Sequence, residues 1–427
     1  MQKENTPRKI IITNIVTLNP GDAAILWGTI DILKKAYGNN VEITVFDKFS
    51  DTARSYYPWA NFRQSFFGSG RSNQLDRILQ KLGYGHWSDR IRYARYSLAI
   101  NLHQSLLSIL SRLFITSNEL RDLKEYMMAD LILSTGGTYL IENYDLSSSI
   151  YEFRLCNKTG KPYGFFTQTL GPFTTEKNKK PFKDIFDNAA IILLRDERSK
   201  KHVEELGVKN EHIFLGADAA FSLASLSSPD MPAQTRKGKP RLAVSVRSLK
   251  FFSSEKETLY YKAIASAVTW AIEKYDAEVT FLSTCQGIDE YWVDDSKVAT
   301  EICELLTENI RSKVTIDNQF RQPIELVKVY GSFDAVIATR MHAAILSLCA
   351  GTPTLGIAYE FKMLELFKNS QMNDLVIDID TLSEQSMNSG VSLLLEDLQH
   401  NATRVRATIP KMKASAESVQ EPLRRLI

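Results

Sequence analysis

Short apolar runs alternate with longer helical segments along nearly the whole chain, and this alternation restricts the fold more than any other feature. Residues 9–16 and 41–47 have the composition of buried strands, and residues 21–37 between them that of a helix. The pattern resumes with a strand at residues 241–246 and a helix at residues 255–275. Strands that alternate with helices predict parallel sheets covered by helices.

A segment with three prolines and several basic residues interrupts the alternation at residues 227–240. Such a segment is typical of a linker, and 427 residues suffice for two domains or more. We therefore predict a first domain at residues 1–226, a linker at 227–240, and a second domain at 241–427 that ends in helices. Both are predicted to be α/β and Rossmann-like, with parallel sheets that face a cleft and bind ligands at their strand ends.

The composition excludes several classes of protein. A net charge of +2 argues against nucleic-acid binding. The four cysteines are widely spaced, which favours buried thiols over disulfides. The six histidines show no spacing typical of metal ligands, so we predict no metal. The polar N-terminus lacks a signal-peptide core and no apolar run reaches the ~20 residues of a membrane span, so we predict a cytoplasmic protein.

Residues 61–118 do not fit the alternation. They carry eight basic and two acidic residues, a net charge of +6, and residues 93–115 are apolar at helical spacing. We predict a helical insertion in the first domain. Two interpretations stay open: a packed lid or subunit contact in a homo-oligomer, and a peripheral contact with an anionic membrane. The second would place the protein at the inner face of the membrane.

A strand–turn–helix pattern in the second half of the chain is the strongest indication of a binding site. Asp334–Ala338 has the composition of a buried strand, and Ala343–Cys349 that of a short helix. Arg340 and His342 therefore lie between the carboxyl end of a strand and the amino end of a helix, where anions bind. An arginine fork and a titratable imidazole suit a phosphorylated or carboxylated ligand.

Two more cations are expected on the same rim. Arg247 ends the first strand of the second domain, where a buried arginine is costly unless it is paired or meets an anion. Lys362 follows Tyr359 by three residues and is expected to reach the rim as well. A salt bridge is the structural alternative for Arg247, and a helix-start role is the alternative for His342.

In the first domain, polar residues and glycines also follow strands. Asn19 and Asp22 lie between the first strand and the first helix, where a helix-capping role for Asp22 is as plausible as a catalytic one. Gly136 and Gly137 follow a later strand and suit either a turn or a close ligand approach. Gln168 ends the next strand. All are predicted at the sheet edge where ligands bind.

These residues indicate a two-lobed α/β enzyme whose second lobe binds a small anion, without naming the reaction. No nucleophile-elbow, zinc-protease or phosphate-loop motif occurs. The ordered set of motifs resembles the polysaccharide pyruvyl transferase family. The motifs that carry this resemblance are, in chain order, Asn19–Leu26, Gly136–Gly137, Gln168–Pro172, Arg195–Ser199, Ala217–Phe221, Ser245–Arg247, Arg340–Ala343 and Tyr359–Lys362.

The resemblance implies a GT-B-like fold and transfer of the enolpyruvyl unit of phosphoenolpyruvate to sugar hydroxyls, which forms a pyruvate ketal. The acceptor would be a glycan or a lipid-linked saccharide, and no cofactor is needed beyond this co-substrate. His342 would be the general acid, and Asp22 the base. The donor-binding residues implied are Arg247, Arg340 and Lys362. The acceptor-binding residues implied are Asn19, Gly136, Gly137 and Gln168.

Two other functions stay open. A nucleotide-sugar glycosyltransferase of the same architecture would need a base-stacking aromatic and a ribose-binding carboxylate in the second lobe, and neither is identifiable in the sequence. A non-catalytic carbohydrate-binding homologue is the third candidate. The presence of Arg247, Arg340 and His342 together argues against a homologue that has lost the ability to bind a donor.

Overall fold

The computed structural model describes residues 7–68, 81, 87–103, 108–224, 238–250 and 252–427. Its contacts group the chain into two compact units, each built around one parallel sheet. Unit 1 comprises Met1–Leu18, Gly28–Ala219 and Ala416–Ile427, and unit 2 comprises Asn19–Trp27 and Ala220–Ser415. The predicted α/β class with two parallel-sheet domains is confirmed. The grouping differs from the predicted boundaries in three short segments, residues 19–27, 220–226 and 416–427.

The sheet of unit 1 has eight strands in the order β3-β2-β1-β4-β6-β7-β8, with β5 beside β6. The strands are β1 (Arg8–Ile15), β2 (Val41–Asp47), β3 (Asn61–Gln64), β4 (Leu131–Ser134), β5 (Gly137–Leu140), β6 (Tyr163–Leu170), β7 (Ile191–Leu194) and β8 (Ile213–Leu215). All neighbouring strands are parallel, so their carboxyl ends meet at one edge. β4 and β6 are buried along their whole length, as central strands covered on both faces should be.

The sheet of unit 2 has six parallel strands in the order β11-β10-β9-β12-β13-β14. The strands are β9 (Arg241–Ser245), β10 (Glu278–Leu282), β11 (Val314–Asp317), β12 (Ala335–Ala338), β13 (Thr354–Ala358) and β14 (Val376–Asp378). The order reverses between β9 and β12, because β9 continues to β10 on one side and β12 to β13 on the other. Ligands of open α/β sheets bind outside the carboxyl ends of the strands at such a reversal.

Helices cover the faces of both sheets. In chain order they are α1 (Pro20–Tyr37), α2 (Ser50–Tyr56), α3 (Ser88–His103), α4 (Ser117–Met128), α5 (Ser147–Thr159), α6 (Glu176–Asp187), α7 (Glu197–Glu205), α8 (Ser254–Tyr275), α9 (Asp295–Glu304), α10 (Glu308–Arg311), α11 (Pro323–Tyr330), α12 (Met341–Cys349), α13 (Phe361–Asn369), α14 (Glu384–Glu396), α15 (Leu398–Glu417) and α16 (Gln420–Arg424). The last three follow the last strand of unit 2, at the end of the chain where helices were predicted. Among the described residues, no helix is long and apolar enough to cross a membrane.

The predicted insertion at residues 61–118 is not purely helical. Its first residues form the edge strand β3, which pairs in parallel with β2, and helix α3 follows later. This strand was not predicted because β3 has a single large apolar residue, Phe62, and lacks the apolar run of a central strand. Residues 69–80, 82–86 and 104–107 of this segment lie outside the described residues, as do residues 227–237 of the predicted linker.

Several arginines of this segment are bonded inside unit 1. Arg92 is only 4% exposed and donates to the carbonyl of Gly68 at 2.7 Å and to Asp89 at 3.0 Å. Arg95 donates to the carbonyl of Phe114 at 2.9 Å and to Glu119 at 3.3 Å. Part of the +6 charge therefore stabilises the packing of α3 and does not face solvent.

Candidate functional site

The predicted strand–turn–helix pattern is confirmed at the carboxyl end of β12. The chain leaves this strand at Ala338, and Arg340 is the N-cap residue of α12 in an extended conformation, with φ −83° and ψ 127°. His342 lies in the first turn of the helix and is half-buried. A cation and an imidazole thus stand where the N–H groups of the helix start are not used within the helix.

Arg340 is held by a carboxylate that the sequence reasoning did not identify. Its Nε and Nη2 donate to the two oxygens of Asp295 at 2.6 and 2.5 Å. Asp295 is 1% exposed and also accepts from the backbone N–H groups of Thr284 and Cys285, at 3.2 and 2.9 Å. Burial by itself lowers the pKa of Arg340, but the charge of Asp295 outweighs it and raises the pKa well above its usual value. The guanidinium is therefore charged and fixed in orientation.

Arg247 follows the end of β9 and contacts an aromatic ring. Its Cζ lies 4.6 Å from the centroid of the Tyr359 ring, and its Nη1 donates to the Tyr359 hydroxyl. Its Nε donates to the carbonyl of Ser248 at 3.3 Å. These contacts orient the guanidinium. Lys362 lies close by in sequence, at the start of α13, and forms an ion pair of 2.8 Å with Glu360.

Asn19 and Asp22 group with unit 2, together with the residues just described. The N–H of Gly21 donates to Oδ1 of Asn19 at 3.0 Å, which closes a tight turn into α1. Gly21 packs against His342: a Cβ at Gly21 would lie 2.6 Å from Cγ of the imidazole. Only glycine allows this approach, so the glycine of the first motif serves a contact with the last motif.

A buried thiol lies beside Asn19. The Sγ of Cys285 lies 3.9 Å from Oδ1 of Asn19. Burial raises the pKa of Cys285 to about 12, Arg340 and Arg247 oppose the shift, and Asp295 and Asp22 add to it. The thiol stays protonated at neutral pH and is no nucleophile.

Tyr291 belongs to the same surroundings. Burial raises its pKa above the usual value, and the charge of Asp22 contributes to the shift while Arg340 opposes it. No sequence signal pointed to Cys285, Tyr291 or Asp295. Asp295 is the first residue of α9, where an acidic residue is commonly just a favourable charge at a helix start.

The remaining predicted residues lie in unit 1. Gly137 begins β5 with φ +125° and pairs with Gln168 of β6. Gln168 is fully buried and accepts from Oγ of Ser134 at 3.0 Å, while its Nε2 has no partner among the described residues. Gly136 precedes Gly137 in the turn after β4. Gly137 and Gln168 are therefore neighbours in the sheet of unit 1, whereas Asn19 and Asp22 group with Arg340 and His342 in unit 2.

Among the described residues, no group of three histidine, cysteine, aspartate or glutamate side chains could hold a metal ion.

Comparison with known proteins gives one family and one fold. A family model described as polysaccharide pyruvyl transferase matches residues 19–360. The amylovoran biosynthesis protein AmsJ of Erwinia amylovora is 25% identical over 418 residues, which cover 94% of this chain and 95% of AmsJ. The matched range contains Asn19, Asp22, Arg247, Arg340 and His342.

Solved structures share the architecture at low identity. The UDP-GlcNAc 2-epimerase of Methanocaldococcus jannaschii has a TM-score of 0.58 at 12% identity, with 98% of this chain and 99% of the epimerase covered. HepE of Anabaena, solved in complex with UDP-glucose, has a TM-score of 0.55 at 12% identity and 98% coverage of both chains. These similarities show the GT-B-like fold and nothing further about this chain.

Proposed function

Since this chain belongs to the polysaccharide pyruvyl transferase family, we propose that it moves the enolpyruvyl unit of phosphoenolpyruvate onto a saccharide and closes a pyruvate ketal. The observation that carries the proposal is the placement of Arg247 after β9 and of Arg340 and His342 after the neighbouring strand β12, with Gly21 at the start of α1 packed against His342. The proposed acceptor is a polysaccharide or its lipid-linked precursor.

The donor's charges suit the two arginines. Phosphoenolpyruvate carries a phosphate and a carboxylate, and a guanidinium binds either group with two parallel hydrogen bonds. Arg340 is held on its Nε and Nη2 side by Asp295, so its Nη1 side is the one proposed to meet the donor. Arg247 rests on the Tyr359 ring and is proposed to bind the donor's second anionic group. Lys362 is proposed to add positive charge from the start of α13.

The proposed chemistry needs one acid and one base. His342 donates a proton to the methylene carbon of the donor, and the adjacent carbon gains cationic character. A sugar hydroxyl bonds to that carbon and loses its proton to Asp22. The carbon–oxygen bond to phosphate then breaks, and the phosphate leaves with the proton held by Asp22. A second hydroxyl of the same sugar bonds to the carbon as the ketal closes, and its proton passes to the deprotonated His342. The contact between Gly21 and His342 supports this assignment because Asp22 is the next residue.

A product assay tests the proposal. The protein is incubated with phosphoenolpyruvate and a panel of glycans, and mass spectrometry follows the mass gain of a pyruvate ketal while phosphate release is counted. We expect one phosphate for each ketal. Because the fold is shared with proteins solved with UDP or UDP-glucose, thermal stabilisation by UDP-sugars but not by phosphoenolpyruvate would instead favour a glycosyltransferase.

A further inference from the structure

Unit 1 contains a cavity with a volume of about 210 Å³ that the proposed donor chemistry does not use. It lies at the carboxyl ends of β1 and β2, beside the first turns of α5. Its wall combines a carboxylate, an ammonium group, an amide, a hydroxyl and aromatic rings. The residues that matter for the argument are Asn14, Lys48, Phe67, Tyr139, Ser148 and Glu152.

Glu152 places a carboxylate in the cavity wall. Its side chain is 6% exposed, and its Oε1 accepts from the Thr13 hydroxyl at 3.0 Å and from the Tyr126 hydroxyl. Burial raises the pKa of Tyr126, and the charge of Glu152 adds to that shift. A carboxylate in such a place is costly unless hydrogen-bond donors surround it. Ligand hydroxyls would supply further donors of the same kind that the protein already uses.

Lys48 supplies a cation to the same cavity. It follows β2 directly and is half-buried, with its Nζ 5.4 Å from the centroid of the Phe49 ring. Among the described residues, no carboxylate lies within ion-pair distance of this nitrogen. An ammonium group over an aromatic ring is able to donate hydrogen bonds to a ligand.

Asn14 shows that the backbone is strained at this point. It has φ +60°, which is uncommon for a residue other than glycine, and the register between β1 and β2 shifts beside it. The side chain donates to Oγ of Ser134 at 3.2 Å, which directs the amide to the sheet edge. Residues held in such conformations cluster at binding sites.

We propose that this cavity binds one sugar ring of the acceptor. A sugar offers hydroxyl groups for Glu152, Lys48 and Asn14, and apolar C–H faces for Phe67 and Tyr139. Ligand sites are typically apolar with a few placed polar groups, and this wall has that composition. The identity of the ligand as an acceptor rests on the proposed function, whereas its chemical class rests on the cavity alone.

Direct binding tests the inference without the reaction. Ligand-observed NMR is recorded on the full-length protein with the methyl glycosides of glucose, galactose, mannose and glucuronic acid, in the absence of phosphoenolpyruvate. Glu152→Gln keeps an oxygen for Thr13 and Tyr126 but removes the charge. It should weaken sugar binding about five- to tenfold, the difference between a charged and a neutral hydrogen bond.

Lys48→Ala is the second variant, because its side chain is only half-buried and its loss does not threaten folding. It should also weaken binding several-fold. Lys158→Ala is the matched control, since Lys158 is exposed on the same helix as Glu152 and should leave binding unchanged.

Two results would overturn the inference: none of the four glycosides binds the parent protein, or Lys48→Ala and Glu152→Gln both bind as the parent does. Phosphoenolpyruvate binding is measured by thermal shift on the same samples. This measurement separates failure of the sugar site from failure of the proposed function. If sugar binding depends on Glu152 but phosphoenolpyruvate does not bind, the sugar site in the cavity is supported and the proposed transfer from phosphoenolpyruvate is contradicted.

Discussion

Replacing Gly21 with alanine tests whether the start of α1 positions His342. A Cβ there would lie 2.6 Å from Cγ of the imidazole, and ordinary van der Waals contact begins at 3.4 Å. The ring must therefore move by about 1 Å, and a misplacement of ~1 Å costs roughly 100-fold in rate at a positioned catalytic group. We expect kcat, measured at saturating phosphoenolpyruvate, to fall by about that factor.

The stability of the variant should change far less. Overpacking costs about 1–3 kcal/mol, but alanine gains up to ~1 kcal/mol over glycine in a helix, and Gly21 has no positive φ to lose. Gly331→Ala is the matched control in unit 2, because a Cβ there meets no atom closer than 3.4 Å. Its kcat should equal that of the parent.

A double-mutant cycle decides whether the effect passes through His342. In the His342→Gln background, Gly21→Ala should have little further effect on kcat, because the group that it displaces is already gone. Two results would contradict this role of the contact. In the first, the losses of kcat caused by the two substitutions multiply in the double variant. In the second, Gly21→Ala alone keeps kcat within about threefold of the parent instead of the expected ~100-fold loss.

Four further results are expected. Arg340→Ala should weaken phosphoenolpyruvate binding by roughly 2–5 kcal/mol in calorimetry, whereas Arg404→Ala, which removes another arginine–aspartate pair of unit 2, should not. His342→Gln should lower kcat by about 10²–10⁴; near-normal turnover would assign the proton to another group. Burial raises the pKa of Cys285 in the folded protein to about 12, whereas the ordinary pKa of a thiol is ~8.5. The contribution of this thiol to stability is complete below that ordinary pKa and should be lost as pH rises above it, because the unfolded chain then releases the proton first. Tm should therefore fall at alkaline pH, and Cys285→Ala should make this fall less steep. Arg92→Glu should lower Tm because Arg92 is hydrogen-bonded inside the protein. If the parent protein binds anionic vesicles strongly and this variant loses that binding with an unchanged Tm, the result would favour the membrane contact.

Local patterns predicted the elements that carry the site. The strand before Arg340 and the helix after it follow from a short apolar run and from the glycine and proline that end the helix, which are signals within a few residues. The edge strand β3 was not predicted, because an edge strand needs no apolar run. Its extended conformation is stabilised by pairing with β2, which its own sequence does not indicate.

The contacts that organise the site were not predictable in this way. Asp295 and Arg340 are 45 residues apart, and each has a common structural role when considered alone. Gly21 belongs to the first motif, but only the three-dimensional structure shows that its missing side chain makes room for His342. Such pairings arise from tertiary packing, on which the spacing of residues in one sequence carries no information.

The division of the chain between its two units has a consequence for the order in which they can be completed during synthesis. Residues 19–27 are synthesised early but group with unit 2, whose other residues begin at Ala220. Unit 1 in turn includes Ala416–Ile427, which are synthesised last. Domains commonly fold one after another as the chain emerges. Here neither unit has all its residues until almost the whole chain is made, so a fragment cut at residues 227–240 would leave both incomplete. Completion of the two units is therefore expected to be a single late event, and contacts between residues so distant in sequence make it slow.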